Sequence, residues 1–370
     1  MPAVPVSQHS TAEKVVQWWA AKKQTHRPHL GASLIGHECD RYLWLTFRWA
    51  KLAEFEGRLL RLFDRGNREE PRIHEELRGI GVELHTMDGD KQIACRDPSG
   101  HFGGSVDGVG RNFPEAPKSW AVLECKTHSA SSFQALQKKG VKESKPRHYA
   151  QMQVYMGLMD LDRALYYAVN KDTDDVYTEW VHFDAAEFQK LQERATRIIE
   201  ATEPPAKLSD DPAFWVCKAC DMYSLCHQQK VAAANCRTCV AASPVENGRW
   251  HCQTHNNIRT DEEQGEGCPS HLFIPALVPF GEAVDGGESY VEYRHRETGK
   301  TFRNGPDGYS SKELAASSAG TVTEPVVEAM RKTFGAKVVE STPRRRGKAV
   351  DLSKFPKANE PFVDDKEIPF

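Results

Sequence analysis

Gly103-Gly104-Ser105-Val106-Asp107-Gly108, then Trp120-Ala121-Val122-Leu123-Glu124-Cys125-Lys126-Thr127, then Gln151-Met152-Gln153-Val154-Tyr155 are the segments around which the rest of the chain is read. The first two read as strands and the third as part of a helix. Side chains two apart on a strand share a face, so Glu124 and Lys126 point the same way. If the two strands pair as a hairpin, Asp107 joins them at one point. Two carboxylates offer oxygen ligands to a hard divalent cation, Mg²⁺ or Mn²⁺. A lysine adds a positive charge beside a water or a phosphate, which completes the minimum set for metal-assisted phosphodiester hydrolysis. A Glu-x-Lys pair alone is common on solvated strands, so the weight rests on the ordered set.

In that order, Asp107, Glu124-x-Lys126 and Gln151-xxx-Tyr155 resemble the PD-(D/E)XK nuclease motif and the extra motif of its RecB-like branch. Val106 stands where that motif has Pro, which leaves the metal-binding carboxylate in place. Upstream, Gly66-xxx-Glu70-Pro71 resembles the first motif of the lambda-exonuclease and YqaJ-like members, with Glu69 the competing carboxylate. The resemblance implies an α/β fold with a restriction-endonuclease-like αβββαβ core and a mixed sheet. It implies metal at Asp107, Glu124 and the Cys125 carbonyl, assisted by Glu70. Lys126 would orient or activate the attacking water, and Gln151 and Tyr155 would position the lysine, the phosphate or the strand. The implied activity is that of a metal-dependent DNA exonuclease in phage recombination or DNA end processing. The rival is a catalytically idle DNA-binding scaffold, against which the intact Asp, Glu and Lys weigh.

At 370 residues the chain can build one large core and small appendages. Its 39% hydrophobic and 27% charged content is that of a folded globular protein. A net charge of -3 argues against coating nucleic acid by bulk charge and leaves room for a local basic groove. The sequence shows no membrane-spanning apolar run and no signal-peptide pattern, so a cytoplasmic place is expected, in a bacterial host if the chain is phage-encoded. Lys138, Lys139, Lys142, Lys145, Arg147 and His148 crowd the segment before Gln151 and read as a surface loop suited to DNA phosphates. Arg65, among the arginines at 58–72, belongs to a second basic stretch.

Periodicity and turn signals place a short amphipathic helix over 12–23 and a longer one over 54–79, whose apolar side is Leu59, Leu60, Leu62, Phe63, Ile73 and Leu77. Ser33 reads as the N-cap of a helix that carries Cys39 near its first turns. Strands are expected over 82–86, 91–96, 101–109 and 120–127, a helix over 146–159, strands over 163–170 and 176–183, and a closing helix over 185–201.

Ten cysteines in a reducing compartment point to metal rather than disulfides. Cys217-xx-Cys220-xxxxx-Cys226 has three thiols and lacks a fourth, which Cys39 can supply. With a RecB-like core between them, these four resemble the 4Fe–4S clamp of AddB-type and CRISPR-adaptation nucleases. Zinc is the alternative for the same four thiolates. Cys236-xx-Cys239, Cys252 and Cys268 have structural-zinc spacing, with His255 and His271 as alternatives for the last ligand.

The expected organisation is a nuclease domain over 1–230, a zinc-ribbon-like cysteine-rich module over 231–280, a small βα segment over 281–340 and a disordered tail over 341–370. The tail ends Phe362-Val-Asp364-Asp365-Lys-Glu367-Ile-Pro-Phe370, which resembles the acidic tip of bacterial single-strand-binding proteins. That resemblance implies single-strand-annealing or replication proteins as partners beside DNA, with no membrane partner.

Overall fold

The computed structural model describes residues 10–51 and 54–339. The acidic Ile-Pro-Phe tip and the tail that carries it lie outside the described residues. A five-stranded sheet runs in the order Val176–His182, Arg163–Asn170, Ala121–His128, Gly108–Arg111, Glu83–His85. Only the pairing of Ala121–His128 with Arg163–Asn170 is parallel; the other three are antiparallel. A parallel pair needs a crossover, and helices Ala130–Ser144 and Pro146–Met159 supply it. The chain is therefore α/β with a mixed sheet.

Side-chain alternation then assigns each face. Ala121, Leu123, Leu165, Tyr167 and Val169 pack on Ile73 and Leu77 of helix Gly57–Gly79. Val122, Ala164, Tyr166 and Ala168 face the crossover helices through Phe133, Leu136, Met152 and Val154. Glu124 and Lys126 lie on this second face, so the sheet presents them toward the helix that carries Gln151 and Tyr155.

Four local expectations are corrected. The strand expected over 101–109 is two strands in two sheets: Phe102–Ser105 pairs with Ala94–Arg96 and Leu30–Gly31, whereas Gly108–Arg111 enters the main sheet. Asp107 sits at the switch, where the buried Val106 is anchored by its N–H to the Ile93 carbonyl at 2.9 Å. Ser33 is not a cap. Gly31 precedes a short helix Ala32–Ile35, and Cys39 caps a separate helix Asp40–Phe47 by accepting from the Tyr42 N–H at 3.4 Å.

The basic segment over 138–148 is helical rather than a loop. It is broken at Gly140, whose φ of 70° a side chain rarely adopts, and at Lys145 before Pro146. Leu62 and Phe63 are exposed because the N-terminal half of Gly57–Gly79 packs on helix Ser10–Ala20 instead of the sheet. The long helix itself, the helices Pro146–Met159 and Ala185–Glu200, and the strand Arg163–Asn170 fall where their periodicity puts them.

Beyond residue 230 the chain stays packed on the part before it. Arg237 is fully buried with its guanidinium 3.7 Å from the Trp49 ring centroid, and it donates to the Phe47 carbonyl at 3.0 Å and to Gln264 at 2.8 Å. The Ala233 N–H donates to the Ala50 carbonyl at 2.8 Å. The cysteine-rich stretch forms a three-stranded antiparallel sheet, Ala242–Val245, Arg249–Cys252 and Asn257–Arg259. The C-terminal segment has three antiparallel strands, Gly281–Gly286, Val291–His295 and Thr301–Asn304.

A Cβ on Gly104 would sit 2.6 Å from the Tyr155 hydroxyl and 2.8 Å from its ring. Gly104→Ala should therefore push Tyr155 off the Phe102–Ser105 strand and destabilise the protein by about 1–3 kcal/mol, the usual range for overpacking. Chemical denaturation checks this, and an unchanged midpoint would contradict the packing.

Candidate active site

The strand switch brings Asp107 against the central strand. Its Oδ2 accepts from the Cys125 N–H at 2.7 Å and lies 3.9 Å from Lys126 Nζ. Lys126 Nζ donates to Glu124 Oε1 and, at 3.1 Å, to the Cys125 carbonyl. Glu124 is 0% exposed, and its Oε2 has no hydrogen-bond partner among the described residues. Asp107 and Lys126 keep partial exposure, so the cluster opens to solvent on their side.

Glu70 reaches the cluster from the helix on the opposite face of the sheet. Burial first, and then the Asp107 carboxylate, raise its pKa to about 7. Glu69 turns away and pairs with Arg72 at 3.3 Å. His74, one turn after Glu70, is buried with its Nε2 3.8 Å from Glu70 Oε1. It was missed in the sequence, where nothing separates it from an ordinary core histidine.

Burial raises the pKa of Glu124 to about 7, with Asp107 and Glu70 adding to the rise and Lys126 opposing it. Burial works against the Lys126 ammonium, but Glu124 and Asp107 outweigh it and hold its pKa above the usual value. Three carboxylates thus share one ammonium in a partly desolvated site. This charge excess and the unpartnered Glu124 Oε2 suit a divalent cation with oxygen ligands.

Gln151 and Tyr155 are buried and act on the backbone. Gln151 Nε2 donates to the Tyr155 hydroxyl at 3.2 Å, which donates to the Ser105 carbonyl at 2.8 Å, two residues before Asp107. They hold the strand that carries the aspartate. Of the basic residues, Lys138, Lys139, Lys142 and Arg147 are exposed, and Arg147 pairs with Glu38 at 2.7 Å. Lys145 is half-buried, and burial lowers its pKa. Arg65 is exposed and donates to the Lys171 carbonyl at 2.6 Å. His148 is not a surface cation: burial, then Lys126, lower its pKa to about 3.

Cys39, Cys217, Cys220 and Cys226 line one small cavity with Tyr42, Met222 and His227. Burial first, then Cys226 and Cys39, push the Cys220 thiol up to about 11. Cys236 is likewise raised to about 11 by burial and by Cys268, Cys239 and Cys252, so the second four cysteines also converge. His271 has its Nε2 2.8 Å from the Asn235 carbonyl and its buried Nδ1 without a partner among the described residues, and His255 is exposed. Among the described residues, no three His, Cys, Asp or Glu side chains stand together in ready coordinating geometry.

The description of the PD-(D/E)XK nuclease superfamily matches residues 7–227, more than half of the chain. The chain belongs to the PD-(D/E)XK nuclease superfamily. The match contains the carboxylates, Lys126, Gln151, Tyr155 and the first cysteine set, and ends before the second. No curated protein matches the chain. Among solved structures, one titled "Crystal structure of SSO0001" is similar at a TM-score of 0.39 and 16% identity, covering 60% of this chain and 98% of that one. The alkaline exonuclease LHK-Exo from Laribacter hongkongensis is similar at a TM-score of 0.32 and 14% identity, covering 49% of this chain and 90% of that one. Its complex with dAMP gives 0.34 and 14%, over 50% and 90%.

Glu70 and Glu124 have folded-state pKa values near 7 against an ordinary 4.5. The native state then holds protons that the unfolded chain has released, and the stability present below about 4.5 is lost as pH rises through about 7. Melting temperatures of the metal-free protein should fall over this window more steeply than those of Glu124→Gln. Mg²⁺ should restore more stability at pH 8 than at pH 5, because its ligands must be deprotonated. Parallel melting profiles for the two proteins would contradict the assignment.

Proposed function

We propose that this PD-(D/E)XK protein is a Mg²⁺- or Mn²⁺-dependent deoxyribonuclease of exonuclease type, acting on DNA ends. One observation carries the reading: Asp107, Glu124 and Lys126 converge in a partly desolvated site with Glu70, leaving a buried carboxylate oxygen without a partner. Asp107, Glu124, Glu70 and the Cys125 carbonyl would hold the cation. When bound, such a cation lowers the pKa of a water and offsets phosphate charge.

The chain's own contribution begins with Lys126. Glu124 and Asp107 favour its protonated form against the cost of burial. It serves as a fixed positive charge and donor that orients the attacking water and stabilises charge on the pentacoordinate phosphate. Tyr155 and Gln151 hold the backbone before Asp107, so that its carboxylate meets the Cys125 N–H without rearrangement. Lys138, Lys139, Lys142, Arg147 and Arg65 are exposed and would contact DNA phosphates, an ionic-strength-dependent attraction. A role in phage or prophage recombination rests on the likeness of Gly66–Pro71 to lambda-exonuclease relatives.

We also propose that the two cysteine sets bind metal: a 4Fe–4S cluster, with zinc as the alternative, at Cys39, Cys217, Cys220 and Cys226, and zinc at Cys236, Cys239, Cys252 and Cys268. In both places burial and the neighbouring cysteines raise a thiol's pKa, and four converging thiols of this kind would lose their protons to a shared cation.

Lys126→Ala should abolish Mg²⁺-dependent degradation of DNA ends while retaining the fold and DNA binding. Equal inactivity of wild type and variant on single- and double-stranded ends would replace the nuclease reading with a DNA-binding scaffold. Anaerobic purification followed by elemental analysis should find iron, with absorbance near 400 nm characteristic of such clusters, lost in Cys220→Ser, and zinc lost in Cys239→Ser. Protein free of both metals would refute the cysteine assignments.

A further inference from the structure

Strand alternation that aims Glu124 and Lys126 at the crossover helices aims His128 the same way. Register with the parallel neighbour sets Tyr166 beside Glu124 and the small Ala168 beside Lys126. The Tyr166 hydroxyl lies 2.8 Å from His128 Nε2 and 2.8 Å from His148 Nδ1. His128 Nδ1 is in turn 3.0 Å from Ser132 Oγ. One chain of hydrogen bonds, Ser132–His128–Tyr166–His148, therefore ties both crossover helices to the two central strands. Tyr166 is fully buried and His128 nearly so.

Both imidazoles are neutral, because burial and nearby lysines lower His128 to about 4 and His148 to about 3. A neutral imidazole carries one N–H, and a tyrosine hydroxyl has one hydrogen to give. The hydroxyl must therefore donate to one ring and accept from the other. Two arrangements satisfy every bond. In one, Ser132 donates to His128, His128 to Tyr166 and Tyr166 to His148, which leaves the hydrogen of His148 on Nε2. In the other, all directions reverse and Nε2 is bare. The chain thus sets the state of a single open atom, His148 Nε2, which has no protein partner among the described residues and is not among their buried unpartnered atoms. Buried polar networks are costly unless complete, and this one is complete except at that end.

The His148 ring stacks on Tyr166 and sits on the helix that carries Gln151 and Tyr155. Burial acts most strongly on it, then the Lys126 ammonium, with Lys145 and Arg147 adding to the effect. In the arrangement that leaves the hydrogen on Nε2, a phosphate oxygen beside Lys126 would complete the chain. We propose that His148 Nε2–H contacts a non-bridging oxygen of the phosphodiester beside Lys126, that this contact selects the first arrangement, and that Tyr166, His128 and Ser132 are positioning residues that carry it and hold the ring plane. This rests on the nuclease reading and adds residues to that site.

Tyr166→Phe, His148→Gln and the double variant are compared with wild type on labelled DNA ends in Mg²⁺, with melting temperatures measured for all four proteins. Loss of one hydrogen bond to a charged oxygen predicts a fall in kcat/KM of about tenfold or more for His148→Gln. Tyr166→Phe should show a smaller fall, and the double variant should be no worse than His148→Gln, because Tyr166 acts through that ring. Multiplying effects, or full activity of His148→Gln, would overturn the proposal.

A second measurement does not depend on turnover. The ¹⁵N resonance of His148 Nε2 in the wild-type protein should shift when an oligonucleotide is added with Ca²⁺ in place of Mg²⁺, and an unmoved resonance would overturn the contact. Wild type that binds the oligonucleotide with this shift but never cleaves it would refute the nuclease reading and leave the contact standing.

Discussion

The structure depends on burying one carboxylate beside one lysine at the centre of a sheet. Glu124 lies where an apolar residue would normally sit, with Val122 before it on the same face and Tyr166 beside it in register. An ionised carboxylate is tolerated there only when paired, and Lys126, two residues on, is the nearest group that can pair with it. Asp107 and Glu70 then add negative charge that one ammonium cannot balance. The site is thus strained electrostatically rather than sterically, and under the proposed function a divalent cation would relieve it. Interactions that destabilise the metal-free protein would then be those that give the site its affinity for metal.

Geometry at this site is set from a distance. Asp107 owes its position to a strand that leaves one sheet and enters another, held on one side by the Tyr155 hydroxyl and on the other by pairing of Gly108 with Leu123. The absence of side chains at Gly103 and Gly104 allows the close approach of Cys95 and Tyr155. On the opposite face, helix Gly57–Gly79 delivers Glu70 only because Ile73 and Leu77 seat its second half on the sheet. The carboxylate cluster and the core packing are therefore coupled.

Outside the catalytic face, long-range contacts join segments that are distant in sequence. Cys39 meets the cysteines after residue 216, and Arg237 meets Phe47 and Trp49, so the helix Asp40–Phe47 is held by both later segments. Arg48, just past that helix, donates to the Ala201 carbonyl at 2.9 Å. The fully buried Arg237 guanidinium replaces part of its lost water with the Phe47 carbonyl, the Gln264 side chain and the Trp49 and Trp250 faces, while its Nη2 has no hydrogen-bond partner among the described residues. Such a contact has no local signature, since Arg237 reads in sequence as one more basic residue inside a cysteine knuckle.

Sequence alone determined the elements whose signal is local. Period two placed Glu124 and Lys126 on one face, and helical period placed Gln151 with Tyr155 and Ile73 with Leu77. Ordered spacing of these residues was enough for family membership. Tertiary structure decided what depends on partners far along the chain: that Asp107 lies at a switch between sheets, that Glu70 and not Glu69 approaches it, and that His148 is a neutral member of a buried network. Composition counted His148 with the lysines because charge in a sequence is assigned residue by residue. Protonation in a fold is decided by burial and by neighbours, and here those neighbours come from two strands and two helices that only the folded chain brings together.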